Sequence, residues 1–248
     1  MRGCRLVLVA AALALPSLRA YGEAPVKLGD DLEVRALRPG YWLHVSKRAG
    51  VPASGLIVRT PKGLLLVDTG WTEDQTKRLV SWAEASLHAR FVKAVITHSH
   101  ADRSGGLATL RRLGLRAYAL DLTVARLPED KRHPVGTLFA AADRVYADPL
   151  GFEAFYPGPG HSRDNIVIWF EGAGILFGGC LVKAEAAHDL GSVTEADMAS
   201  WPVAVKAVAD RYPKATLVVP GHGEVGGILA LSHTLDLLRI AENFRKVQ

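Results

Sequence analysis

KAVITHSHADRSG, residues 93–105, joins an apolar, β-branched run to two histidines and an aspartate. Ala94, Val95 and Ile96 read as a fully buried strand, and Gly105 and Gly106 release the backbone into a following helix. The order is strand, ligand loop, helix. Residues two apart share a side in extended chain and diverge on a helix, so the sequence predicts that His98, His100 and Asp102 converge by staying extended. A single histidine here would read as an ordinary polar loop residue. His-x-His-x-Asp at a strand end points instead to a metal.

The flanking sequence repeats this arrangement. Upstream, residues 32–67 hold short apolar runs separated by Pro/Gly-rich turns, which predicts an antiparallel meander with SKRAGVPAS (46–54) as a hairpin tip. VDTGWTEDQT then ends a strand at Asp68 and starts a helix, with Thr72 and Gln75 spaced as a capping box and Leu79, Val80, Ala83 and Leu87 on one face. Asp68 reads equally as a turn residue or as a carboxylate that orients a metal ligand. Downstream, residues 107–113 read as a helix, 116–120 as a strand, 122–127 as a short helix, and PEDKRHPVG (128–136) as a surface crossing.

From Phe152 the strand-and-loop pattern recurs. His161 lies in PGPGHSRDN, where Gly158 and Gly160 free the backbone to aim the imidazole inward and Asn165 can satisfy loop amides. Cys180 and Lys183 follow a strand in GILFGGCLVK, Ser200 can cap a helix to residue 212, and His222 stands in PGHG after a strand at 216–219. A helix over 228–244 closes the chain. Five strand ends thus carry His98, His100, Asp102, His161, Cys180, His222 and Asp68, the setting in which α/β proteins assemble a composite site. His44, His88, His133 and His233 stand alone and read as solvated or structural.

At 248 residues the chain suits one α/β domain. Residues 1–24 resemble a secretory leader, with Arg2 and Arg5 before an apolar run too short to span a bilayer and small residues offering cleavage after Ala20 or Ala24. The remaining domain is 25–248, exported and without a membrane anchor. Cleavage after Ala24 lowers the formal charge from +5 to +3, too mild and too dispersed to suggest nucleic-acid binding. Cys4 leaves with the leader, so Cys180 becomes a lone thiol that cannot form an intramolecular disulfide. Such a thiol is either a small buried hydrophobe or a metal ligand.

Six candidate ligands exceed the needs of one tetrahedral zinc and suit two. VDTGWTEDQT, THSHADRSGG, GPGHSRDNIVIW, GGCLVK and PGHG, in this order, make the chain similar to the class B metallo-β-lactamases of subclass B1. The glyoxalase II-like branch of that superfamily usually has a histidine after the motif aspartate and an aspartate in place of the cysteine; here Arg103 and Cys180 stand there. The resemblance implies a four-layer αβ/βα sandwich with Zn²⁺ at two sites, one held by His98, His100 and His161 and the other by Asp102, Cys180 and His222. It implies a periplasmic monomer that confers antibiotic resistance by opening a small-molecule β-lactam with a metal-bound hydroxide, Asp102 taking part in catalysis. Lys183 would pair with the substrate carboxylate, and Arg103 would lie beneath the second site. Ser192 replaces an asparagine that reaches toward the carbonyl oxygen in many relatives. A same-fold zinc hydrolase of another ester, thioester or lactone is the enzyme alternative; an exported zinc-storage protein is the non-enzyme one.

Overall fold

The computed structural model of the protein describes residues 24–132 and 135–247. All of the leader but Ala24 lies outside the described residues, as does His133. In chain order the elements are β1 (Val26–Lys27), β2 (Leu32–Arg38), β3 (Tyr41–Arg48), β4 (Val51–Thr60), β5 (Gly63–Val67), α1 (Glu73–Leu87), β6 (Phe91–Ile96), α2 (Ala101–Ser104), α3 (Leu107–Arg112) and β7 (Ala117–Leu120). There follow α4 (Asp121–Arg126), α5 (Glu129–Arg132), β8 (Val135–Phe139), β9 (Val145–Asp148), β10 (Phe152–Phe155), β11 (Val167–Phe170), β12 (Ile175–Gly179), α6 (Trp201–Arg211), β13 (Leu217–Pro220) and α7 (Leu229–Val247).

Strands β1 to β8 form one sheet in sequence order, antiparallel to β5 and parallel from there on; the second sheet runs β13-β12-β11-β10-β9 with only the β12–β13 pair parallel. Side-chain alternation explains why two sheets stack face to face. Leu65 and Val67 of β5 point to one side and meet Phe152, Ile168 and Phe177 of the second sheet, whereas Leu64 and Leu66 point to the other and pack on Leu79, Val80 and Ala83 of α1. The second sheet repeats the pattern, with Val167, Leu176 and Val218 against Trp201, Val205 and Val208 of α6 and Leu231 and Leu238 of α7. The layers are therefore α/β/β/α, the four-layer sandwich expected. Strands buried on both faces are apolar at nearly every position, which is why runs such as LLLV (64–67) rather than alternation mark them.

Several local expectations change. The polar run 46–54 is mostly strand, since β3 and β4 pair from Tyr41↔Val58 out to Arg48↔Val51 and only Ala49 and Gly50, both left-handed, make the turn. The surface crossing 128–136 contains α5 and the first residues of β8, and β8 and β9 were not anticipated. Ser200 is backbone-helical and makes no side-chain cap; Asp197 accepts the Ser200 amide at 3.0 Å instead. His44, expected to be exposed or merely structural, is 1% exposed on β3 opposite Gly55 of β4, and burial pushes its pKa down to about 4. The Thr72–Gln75 capping box forms as read.

Candidate metal centre

The ends of β5 and β6 are tied before any ligand appears. Asp68, left-handed at φ 61°, accepts the Thr97 amide at 2.7 Å and the Thr97 hydroxyl at 2.8 Å, which aims the next residue, His98, into the cleft between the sheets. Burial pushes the Asp68 carboxyl up to about 7 against the pull of Arg103. After His98 the chain does not stay extended. It bends over residues 97–100, with His100 itself still backbone-extended, and enters α2 at Ala101, so His98 Nε2 and Asp102 Oδ1 come to 3.9 Å. Extension is therefore unnecessary for convergence.

Two donor sets result. His98, His100 and His161 pack edge to edge with ring centroids 4.7–5.2 Å apart, and His161 Nε2 faces His100 Nδ1 at 3.3 Å. Both nitrogens of His98 and Nδ1 of His161 are buried without a hydrogen-bond partner. Such orphaned donors are costly unless something binds them. Burial, reinforced by neighbouring histidines, drives the pKa of His98 and His161 well down, leaving neutral imidazoles ready to ligate. In the second set Cys180 Sγ lies 3.3 Å from Asp102 Oδ2 and 3.4 Å from His222 Nε2, and those two atoms are 3.3 Å apart. His98, Asp102 and Cys180 also place ligand atoms within 4.8 Å of one another, so the two sets adjoin.

The surroundings fit a cation of borderline softness. His222 Nδ1 donates to the Pro52 carbonyl at 2.6 Å, leaving Nε2 free for the centre. Burial disfavours charge on His222, but Cys180 and Asp102 outweigh it and raise its pKa to about 9. Burial likewise opposes the charge of Asp102, yet Arg103 and His222 hold that carboxyl well below the usual carboxylate range. Arg103 is fully buried and donates to Asp102 Oδ2 at 2.9 Å, Gly221 O at 2.7 Å, Cys180 Sγ at 3.2 Å and Ser54 O. Gly221 permits this: a Cβ there would lie 2.6 Å from Cys180 Sγ and 2.8 Å from Arg103 Nη2.

Lys183 is buried, its ammonium 5.2 Å over the Trp201 ring, with its pKa lowered by burial in spite of Cys180 and Asp102 nearby. Ser192 is exposed on the long segment between β12 and α6, after left-handed Gly191. Asn165 accepts the Ser162 amide and donates to Gly158 O, holding the His161 loop as expected. Sequence reasoning passed over Trp201, which meets His161 edge-on at 5.7 Å, and Asp164, which accepts the Ser99 amide at 2.8 Å. An acid inside GHSRDN was a usable signal; a tryptophan opening a helix was not.

Fold, donor sets and their order along the chain define one class. The chain belongs to the metallo-β-lactamase superfamily, whose sequence model matches residues 48–222. It is 39% identical over 213 residues to the metallo-beta-lactamase type 2 of Bacillus cereus, covering 84% of this chain and 83% of that protein. Among solved structures, the metallo-beta-lactamase of Erythrobacter litoralis superposes with a TM-score of 0.80 at 30% identity, covering 88% of this chain and all of that one. The FIM-1 metallo-beta-lactamase of Pseudomonas aeruginosa, in its mono-zinc form, gives 0.79 at 32% identity, covering 87% and 99%.

Proposed function

We propose that this protein is a zinc-dependent β-lactamase of the subclass with a three-histidine set and an Asp-Cys-His set, holding two Zn²⁺ ions per chain. The carrying observation is the pair of adjoining donor sets, one of neutral, orphaned imidazoles and one containing a thiol and an ionised carboxylate. Soft and borderline donors of this kind favour Zn²⁺ over Mg²⁺ or Mn²⁺. Zinc bound there supplies Lewis acidity and a water nucleophile available near pH 7.

The chain's own residues do the rest. Asp102, kept ionised by Arg103, accepts a hydrogen bond from the attacking water and aims its lone pair at the lactam carbonyl carbon. Attack breaks the C–N bond of the ring, and a water proton ends on the departing nitrogen, so no covalent enzyme intermediate forms. Lys183 pairs with the carboxylate common to bicyclic lactams, and Ser192 is the segment's candidate donor toward the carbonyl oxygen. The mature protein, residues 25–248 after leader removal, acts as an exported, periplasmic monomer conferring antibiotic resistance; among the described residues no helix is long and apolar enough to cross a membrane.

Steady-state kinetics with a penicillin, a cephalosporin, a carbapenem and a thioester, before and after chelation, test this reading. Lactam turnover that a chelator abolishes and Zn²⁺ restores is expected. Turnover of the thioester alone would make the protein a different hydrolase on the same fold, and zinc binding without any turnover would make it a storage protein.

A further inference from the structure

The last residue of α4 holds two carboxylates that both touch the histidine loop. Arg126 Nε faces Asp164 Oδ1 at 3.4 Å, while its Nη2 donates to Glu195 Oε2. Asp164 has a wholly buried side chain and accepts the amide of Ser99, the residue between His98 and His100; Thr123, one turn before Arg126, donates to the Asp164 carbonyl at 3.1 Å. One face of α4 is therefore docked on the loop that carries His161. Glu195 comes from the other direction, on the segment between β12 and α6, which starts buried at Lys183 and is exposed around Ser192. Its Oε2 is 3.3 Å from His100 Nε2.

His100 is thus read at both nitrogens. Nδ1 faces the three-histidine set through His161, which leaves Nε2 as the protonated nitrogen that donates to Glu195. A carboxylate on the distal N–H of a ligating imidazole fixes its tautomer and raises its donor strength. Glu195 side-chain exposure is 47%, so an isolated pair there would contribute little. Arg126 adds a second contact to the same Oε2, and its guanidinium is drawn toward the loop by the buried Asp164 carboxylate 3.4 Å away, whose Oδ1 accepts no hydrogen bond.

We infer that Arg126 and Glu195 form a clamp that positions His100 and couples order in the 185–197 segment to metal occupancy of the three-histidine set. The inference rests on the zinc reading of that set. A cation held by the three-histidine set would polarise the His100 Nε2–H bond and strengthen the hydrogen bond to Glu195, so that its binding would draw the segment in. By linkage, tethering of the segment tightens metal binding by the same factor.

The test uses the purified mature protein, Glu195→Gln, Arg126→Ala, Arg126→Lys and the double variant Arg126→Ala/Glu195→Gln. Zinc dissociation constants come from competition with a chromophoric chelator, and Co²⁺ substitution separates the sets because only the Cys180 set gives a thiolate charge-transfer band. Glu195→Gln is expected to weaken the histidine set about tenfold, the low end for a partner of a ligating histidine, with the Cys180 band unchanged. The double variant should bind no more weakly than Glu195→Gln, since both residues act through one contact, and Arg126→Lys should recover part of the loss. Limited proteolysis of residues 185–197 should slow on zinc addition in the parent and not in Glu195→Gln. Parent-like zinc affinity in Glu195→Gln, or effects of the two single variants that add fully, would overturn the clamp; should Arg126→Ala not fold, Glu195→Gln at its exposed position still decides. A parent that binds no zinc would instead overturn the reading on which the clamp rests.

Discussion

Replacing Arg103 with methionine removes a buried cation that ties the two halves of the sandwich together at the candidate metal centre. The guanidinium is fully buried and reaches Ser54 on β4, Asp102 on α2, and Cys180 and Gly221 after β12 and β13, with Asp68 Oδ2 at 3.5 Å. Methionine fills much of the volume but leaves Asp68 without a counter-ion, leaves Asp102 with His222 alone, and takes one donor from the carbonyls of Ser54 and Gly221, the latter keeping the Ser54 amide at 2.9 Å. Breaking a buried ion pair from one side costs about 3–5 kcal/mol. The weakened hydrogen bonding of the two carbonyls adds to this, but Asp68, already pushed up to about 7, relieves part of the penalty by taking a proton. A net loss of about 4 kcal/mol is expected, a large share of the roughly 5–15 kcal/mol typical of a domain. For a chain of this size that is a fall in Tm of about 8–16 °C. Urea unfolding and calorimetry of the metal-free protein measure it, and Asp68→Asn in the Arg103→Met background should recover part by removing one unpaired carboxylate. A stability of Arg103→Met within about 1 kcal/mol of the parent, with unchanged zinc content, would refute the hub role.

Lys183→Ala should raise KM more than it lowers kcat, since a contact to the substrate carboxylate is made in ground and transition states alike, with kcat/KM falling roughly ten- to a hundredfold; an unchanged kcat/KM would leave Lys183 as a packing residue over Trp201. Cys180 should react slowly with thiol reagents in the zinc-loaded protein and faster after chelation, and equal rates would place it in the packed core alone. Metal-free protein should lose stability as pH rises. The His222 pKa lies above its ordinary 6.5, at about 9, so its contribution is complete below pH 6.5 and disappears through pH 9. The stability gap between the parent and His222→Gln should therefore narrow over that window, as urea titrations at stepped pH would show; a gap that is constant or widens would contradict the sign.

Periodicity and spacing made much of this protein legible without coordinates. Apolar runs at residues 64–67, 94–96 and 175–177 mark strands buried on both faces because burial is a property of the residues themselves, and the Thr72–Gln75 box is a contact three residues apart that the local chain must make. The six candidate ligands stood out because five of them follow a strand end at a glycine or bend and Asp102 completes the same motif as it enters α2. The partition of those donors, however, depended on how two sheets close on each other. His98 meets Asp102 through a bend that leads into α2 rather than along one extended run, and Cys180 meets both Asp102 and His222 only because Gly221 lets β13 approach. His44 is buried opposite Gly55 of β4, whose missing side chain leaves room for the imidazole, which an isolated histidine in a strand does not reveal. Arg126 and Glu195 are 69 residues apart and carry no motif. Their pairing is long-range electrostatics between a helix end and a loop, and such contacts exist only once the hydrophobic layers have set the distance between the elements that bear them.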